Sequence, residues 1–224
     1  MMPKQFRLFS MLMLALCLCA LPAMAGTLFS DLGPAGSVYD CCDGWTVSGT
    51  GSIVGTSYTS ANLFTVAGSG SLAVSQIDLA MGNFYGANTF YATIWTDNSG
   101  APGSQVAGAS WNPLSTTTSF GSCCGLVSIT GITGVNLIGG QQYFMVLGPL
   151  STSDNSLNAW NQNNQGVNGD VQYSTDGGAT WNDMGSNTTG AFDVLSATPE
   201  PGSLFLLGTG LIGMLGAYRR RSKR

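Results

Sequence analysis

The sequence predicts an all-β protein, an antiparallel β-sandwich or jelly-roll-like ectodomain flanked by an N-terminal signal helix and a C-terminal transmembrane helix. Three observations carry this expectation. The chain between its two ends is rich in Gly, Ser, Thr and Asn, with 32 Gly in 224 residues and only 8 % charged side chains, and no long window of helix formers. Apolar and β-branched residues alternate at period two in short runs, separated by Gly, Asn, Asp and Pro clusters, as in half-buried strands joined by turns. Each terminus carries an apolar segment with basic residues beside it, which assigns those ends to targeting rather than to the fold.

The N-terminal segment, residues 1–25, reads as a secretory signal peptide. Lys4 and Arg7 form a positive n-region, Leu8 to Leu21 an apolar h-region, and Ala23 and Ala25 the small-residue site for signal peptidase before Gly26. Cys17 and Cys19 lie in the h-region as small hydrophobes.

Residues 26–197 form one domain of sufficient length for a real core. Leu72 to Leu79 places Leu72 and Val74 inward and, after a break in the alternation, Ile77 and Leu79. Thr89 to Thr96 is rich in aromatic and β-branched residues and reads as a second strand. Leu126 to Thr130, Gln142 to Leu147, Val171 to Ser174 and Ala191 to Leu195 are further strands. Ser48 to Ser60 is of low complexity, and the Asn-rich Asn155 to Asn168 reads as a long surface loop. No repeat of 20 to 50 residues marks a propeller or solenoid.

Two adjacent cysteine pairs, Cys41-Cys42 and Cys123-Cys124, sit among Gly and Asp turn residues. In an exported chain disulfides persist, and four cysteines allow three connectivities. Neighbouring residues on a strand point to opposite sides, which favours bridges from one pair to the other, closing a loop of about 80 residues with a chain-entropy effect of roughly 4 kcal/mol. A four-thiolate metal site is disfavoured, since adjacent cysteines lack the two-residue spacing of structural zinc sites. No Cys-x-x-Cys and no activating cation supports redox catalysis.

Ser174-Thr175-Asp176-Gly177-Gly178-Ala179-Thr180-Trp181 matches the Asp-box pattern, Ser-x-Asp-x-Gly-x-x-Trp, known from sialidases. Its residues suit a hairpin, with Asp176 bonding turn amides, Gly177 and Gly178 permitting positive φ and Trp181 packing beneath. A single copy in a body without arginine excludes a sialidase.

Charge is distributed unevenly. All seven basic residues lie in the two ends, so that Leu8 to Tyr218 contains no Lys, Arg or His, whereas all eleven acids lie between Asp31 and Glu200. A mature chain from Gly26 to about Pro201 would carry a formal charge of −11 and could form no internal salt bridge. Such a surface repels nucleic acid. It would attract divalent cations, calcium included, as bridges to anionic polysaccharide, but no stretch matches the alternating-acid calcium loop, and no cofactor or metal ligand set is expected. Without His or Lys there is no Ser-His or Cys-His dyad, no Ser-Lys dyad and no Schiff base. A glycosidase would need an Asp pair, because the single Glu is Glu200.

The C-terminal segment, residues 198–224, is tripartite. Pro199-Glu200-Pro201 precedes an apolar run from Ser203 to Tyr218, followed by Arg219, Arg220, Arg221, Lys223 and Arg224 around Ser222. Residues 202–218 would make about 25 Å of helix, enough to cross a hydrocarbon core, with the basic end cytoplasmic. This arrangement resembles the PEP-CTERM sorting signal of Gram-negative bacteria. The resemblance implies export, an inner-membrane intermediate spanning by helix 203–218, processing by an exosortase near Pro-Glu-Pro, and delivery to the cell surface or extracellular matrix in association with exopolysaccharide.

The body resembles, more loosely, the choice-of-anchor domains that precede this signal. That resemblance rests on Tyr91 to Gly103, a strand ending in an Asp-Asn-x-Gly-x-Pro-Gly turn, and on Leu137, Gly140 and Gln142 to Leu147. It implies a secreted β-sandwich without known catalysis. Three function classes follow: a non-enzymatic surface or matrix protein, a carbohydrate-binding module, and, most remotely, an Asp-based hydrolase. For the second, Trp45, Trp95, Trp111, Trp160 and Trp181 offer stacking faces. Trp95 and Trp181 are expected in the core, leaving Trp160, beside the Asn-rich stretch, as the best sugar contact.

Overall fold

The computed structural model describes residues 26–196, and everything in that range is strand, turn or loop. The signal segment, the transmembrane run 203–218 and the basic tail lie outside the described residues. Six strands form the largest sheet: β14 (Asn182–Thr188), β13 (Asn168–Ser174), β3 (Thr59–Thr65), β11 (Gln142–Gly148), β6 (Thr89–Asp97) and β7 (Pro102–Ser115), all antiparallel. A second sheet orders β1 (Gly26–Ser30), β15 (Phe192–Ser196), β4 (Ser71–Leu79) and β10 (Asn136–Ile138), with β9 (Val127–Thr130) also on β4. A third orders β2 (Gly44–Ser48), β12 (Leu157–Asn161), β5 (Met81–Tyr85) and the two-residue β8 (Thr118–Ser119), the last pairing parallel.

The second and third sheets meet at a backbone junction. Ala80 N–H donates to Ala191 O at 3.1 Å, Ala191 N–H to Asn161 O at 2.7 Å, and Asn161 N–H to Ala80 O at 2.8 Å. The chain passes from β4 to β5 through Ala80, so the two sheets act as one layer opposite the six-stranded sheet. Between the layers lies a single core with side chains from all three sheets, among them Val47, Phe64, Ile77, Leu79, Met81, Phe90, Ile94, Met145, Leu147, Trp160 and Phe192. This is an antiparallel β-sandwich with alternating inward residues.

The alternation is explicit in β11. Tyr143, Met145 and Leu147 face the main core, while Phe144 and Val146 belong to a second cluster with Ala61, Leu63, Tyr91, Trp95 and Trp181 on the other face of the same sheet. In β4 the break in alternation corresponds to an irregularity opposite Val74 and Gln76, where β15 pairs out of step. A bulge of this type lets Val74 and Ile77, three residues apart, both point inward.

The Asn-rich stretch departs from the expected surface loop. Its first half is β12, the strand between β2 and β5, with all five residues buried, and only Asn164 to Gly166 form the expected exposed turn. Asn can sit there because its amide is bonded to backbone: Asn158 Nδ2 donates to Thr89 O at 3.1 Å, Asn161 Nδ2 to Ala80 O at 3.1 Å, and nearby Asn163 Nδ2 to Val167 O at 2.8 Å. A buried polar side chain so paired avoids most of its desolvation penalty.

Candidate functional site

The Asp-box residues close the β13–β14 hairpin. The Ser174 hydroxyl donates to Asp176 Oδ1 at 2.7 Å and accepts from the Gly178 and Asp176 amides at 2.8 and 3.2 Å. Asp176 in turn accepts from Thr180 N–H at 2.9 Å and from the Thr180 hydroxyl at 2.6 Å. These bonds, led by Ser174, hold the Asp176 carboxyl down at about 2. Gly177 and Gly178 take φ of 75° and 95°, where a side chain would be strained. The turn carries Trp181 edge-on against Trp95, with ring centroids 5.9 Å apart, so the hairpin covers the outer apolar face of the large sheet. Ser174 is fully buried, and Ser174→Ala leaves two turn amides without an acceptor. The expected cost is about 1–3 kcal/mol of unfolding free energy, measurable by urea denaturation.

Trp160 does not reach the surface, where a sugar ring would stack. It lies in β12 with no exposed surface, packs on Phe192 at 5.5 Å between centroids, and donates its indole N–H to Ala191 O at 3.1 Å. The Asn residues around it suggested solvent, but the strand they form is internal. Exposed aromatic surface lies elsewhere, at Phe84 (58 % exposed) and Tyr85 (54 %), with Phe120 5.8 Å from Phe84. The loops carrying exposed Ile53, Val54 and Leu150 adjoin them. Thr50 N–H donates to Thr152 O and Gly51 N–H to Asp154 O, and Gly86 lies against Asn155. These residues gather at the end of the sandwich where β2 and β5 finish and β12 begins. β15 runs the other way, past Leu79 and Ile77 toward Val74, so the chain leaves the domain at the opposite end. No period or motif marks this patch, because its residues come from the end of β5 and from three separate loops.

The cysteines depart from the expected cross-pair bridges. Cys123 is bonded to Cys124, while Cys41 and Cys42 are free thiols with sulfurs 3.6 Å apart. The opposite-sides argument holds for strands, and neither pair lies on one. The two loops do adjoin: Gly121 N–H donates to Cys41 O at 2.9 Å, and the Tyr39 hydroxyl donates to Gly125 O at 3.2 Å. Cys41 and Cys124 pack against one small cluster around Tyr39, Ala80 and Ala191. The bond to a chain neighbour closes no long loop, so the roughly 4 kcal/mol of the expected bridge is absent. Contact with Cys41 raises the Cys42 thiol above its ordinary range, and Asp40 and Asp43 act in the same direction.

A third polar group has no counterpart in the sequence reading. Asp31, buried at the end of β1, accepts from Phe192 N–H and from the Thr189 hydroxyl, each at 2.7 Å. Burial pushes its carboxyl up to about 7 against those bonds. On the neighbouring strands Asp193 and Asp78 stand directly opposite one another, and Asp78 N–H donates to Asp193 Oδ1 at 3.2 Å. Burial first, and then the Asp78 charge, push Asp193 up to about 7.

The sorting residues Pro199, Glu200 and Pro201 and the basic tail lie outside the described residues. Ala23 and Ala25 do too. No curated protein matches the chain. Residues 197–221, however, match the family model of the PEP-CTERM protein-sorting motif. The match covers the Pro-Glu-Pro triplet, the apolar run and the first three arginines of the tail. The chain therefore carries, behind an all-β domain, the motif by which exosortase substrates are sorted, and this motif indicates an exported, cell-surface-directed protein.

Proposed function

We propose that the protein is a non-enzymatic component of the cell surface or extracellular matrix, released from an inner-membrane intermediate by exosortase and retained in the exopolysaccharide layer. The sorting motif is the observation that carries this reading. Two features of the domain support it. With no Lys, Arg or His between Leu8 and Tyr218, general-base and nucleophile arrangements that need a cation or imidazole are lacking. Removal of both ends would also remove every basic residue and leave a uniformly acidic domain suited to a hydrated matrix.

Replacing Pro199, Glu200 and Pro201 by Ala in a host that has the exosortase is the test. The variant is expected to stay uncut in the inner membrane while the wild type is processed and released. Equal processing of the two would refute the reading.

A carbohydrate-binding role is the second reading, and the exposed Phe84, Tyr85 and Phe120 favour it over Trp160 as the place of contact. Aromatic faces stack on sugar rings. Glycan-array binding by the processed protein, lost in Phe84→Ala and Tyr85→Ala and unaffected by calcium removal, is the expected result. No binding to any glycan would sink it.

A further inference from the structure

The loop between β1 and β2 places three soft and hard donors of consecutive residues together. The ligand atoms of Asp40, Cys41 and Cys42 all lie within 4.8 Å of one another. We propose that Asp40, Cys41 and Cys42 form a binding site for one thiophilic divalent cation of the zinc or cadmium type.

Geometry is the first argument. Two sulfurs 3.6 Å apart subtend about 100° at an ion held about 2.3 Å from each, close to the tetrahedral angle. The separation already present therefore suits chelation without moving either side chain. The loop is also held in place from both sides. Asp40 N–H donates to Gln162 O and Gln162 N–H to Asp43 O, both at 2.9 Å, and Gly121 N–H ties down the Cys41 carbonyl. Asp40 Oδ1 accepts from Cys42 N–H at 2.9 Å, which orients the carboxylate and leaves Oδ2 for the ion.

Donor chemistry and charge are the second argument. Thiolate donors select soft ions over calcium or magnesium. Asp43 adds a further carboxylate beside the loop, and no basic side chain in the domain offsets these charges. Cys42 is exposed and Cys41 half-buried, so the site is open to solvent and leaves a fourth position for water or another donor. Cys123 and Cys124, bonded to each other, are not ligands.

The full chain, purified in detergent without reductant, is titrated with Zn2+ and with Cd2+ in equilibrium dialysis. Ultraviolet absorption follows cadmium–thiolate formation. One ion per chain with thiolate absorption is expected, weakened at least about a hundredfold in Cys41→Ser or Cys42→Ser and about tenfold in Asp40→Asn. Cys123→Ser/Cys124→Ser should bind as the wild type does. Alkylation of the wild type gives a readout independent of variant folding: two thiols protected by Zn2+ and released by a chelator. Binding unchanged in Cys41→Ser, absence of thiolate absorption, or Cys41 and Cys42 found oxidised would each overturn the proposal.

Discussion

Raising the pH from about 5 to about 8 is expected to destabilise the folded domain, the reverse of the usual behaviour of carboxylates paired with cations. Asp31 and Asp193 have folded values raised from 3.8 to about 7, each chiefly by burial. Both therefore bind a proton more tightly when folded than when unfolded. Their contribution is fully present below pH 3.8 and is lost as the pH rises through about 7. Asp31 alone can contribute up to about 4 kcal/mol across that window. Asp193 is more exposed and adds less. Asp78 and Asp31 face Asp193, and no cationic side chain among the described residues can relieve any of the three, so ionisation adds like charge to like charge. Asp176 runs in the opposite sense, its stabilisation being lost only as the pH falls through about 2. Urea midpoints across this range are the measurement. A higher midpoint at pH 5 than at pH 8 is expected, with a shallower slope in Asp31→Asn. Stability that increases with pH would contradict the burial of these carboxyls.

Trp160→Ala is expected to cost about 3–5 kcal/mol, a large part of the roughly 5–15 kcal/mol that holds a domain of this size together. The indole fills the junction between the two smaller sheets and the large one, and its fit requires glycine at position 190. A Cβ at Gly190 would lie 2.5 Å from the Trp160 ring, so Gly190→Ala should be destabilising as well. Unfolding free energies of both variants, measured in urea, check this. If Trp160→Ala abolished glycan binding and left stability unchanged, the ring would have to be a surface contact after all.

The sequence was legible where strands are half-buried and apolar. β4 begins one residue before the expected Leu72 and ends at Leu79, as expected; β6, β9, β11 and β15 fall within a residue or two of the runs that announced them. Strands of other composition were hidden. β7 is fourteen residues long but lies at the sheet edge, with only Pro102 and Ala109 buried, so no apolar alternation could mark it. β12 was hidden for the opposite reason: every residue is buried, and its Asn side chains look like turn formers until their backbone partners are known.

The same division applies to the sites. The sorting motif is contiguous, with fixed spacing, and could be read directly. The Asp-box turn is local too, and Ser174, Asp176 and Gly178 meet within one hairpin. By contrast, the Phe84 and Tyr85 patch, the Asp31, Asp78 and Asp193 group, and the contact between the two cysteine loops all depend on chain segments far apart in sequence. Topology brings them together, and residue type alone does not predict it.

On the proposed function, this domain is exported and cut free of a tail that carries most of its positive charge. Intact mass of the protein recovered from the surface or matrix of a host with exosortase tests it most directly. A chain that starts near Gly26, ends near Pro-Glu-Pro and lacks all seven basic residues is the expected result. Recovery of the uncut 23.1 kDa chain, with its arginine tail in place, would contradict it.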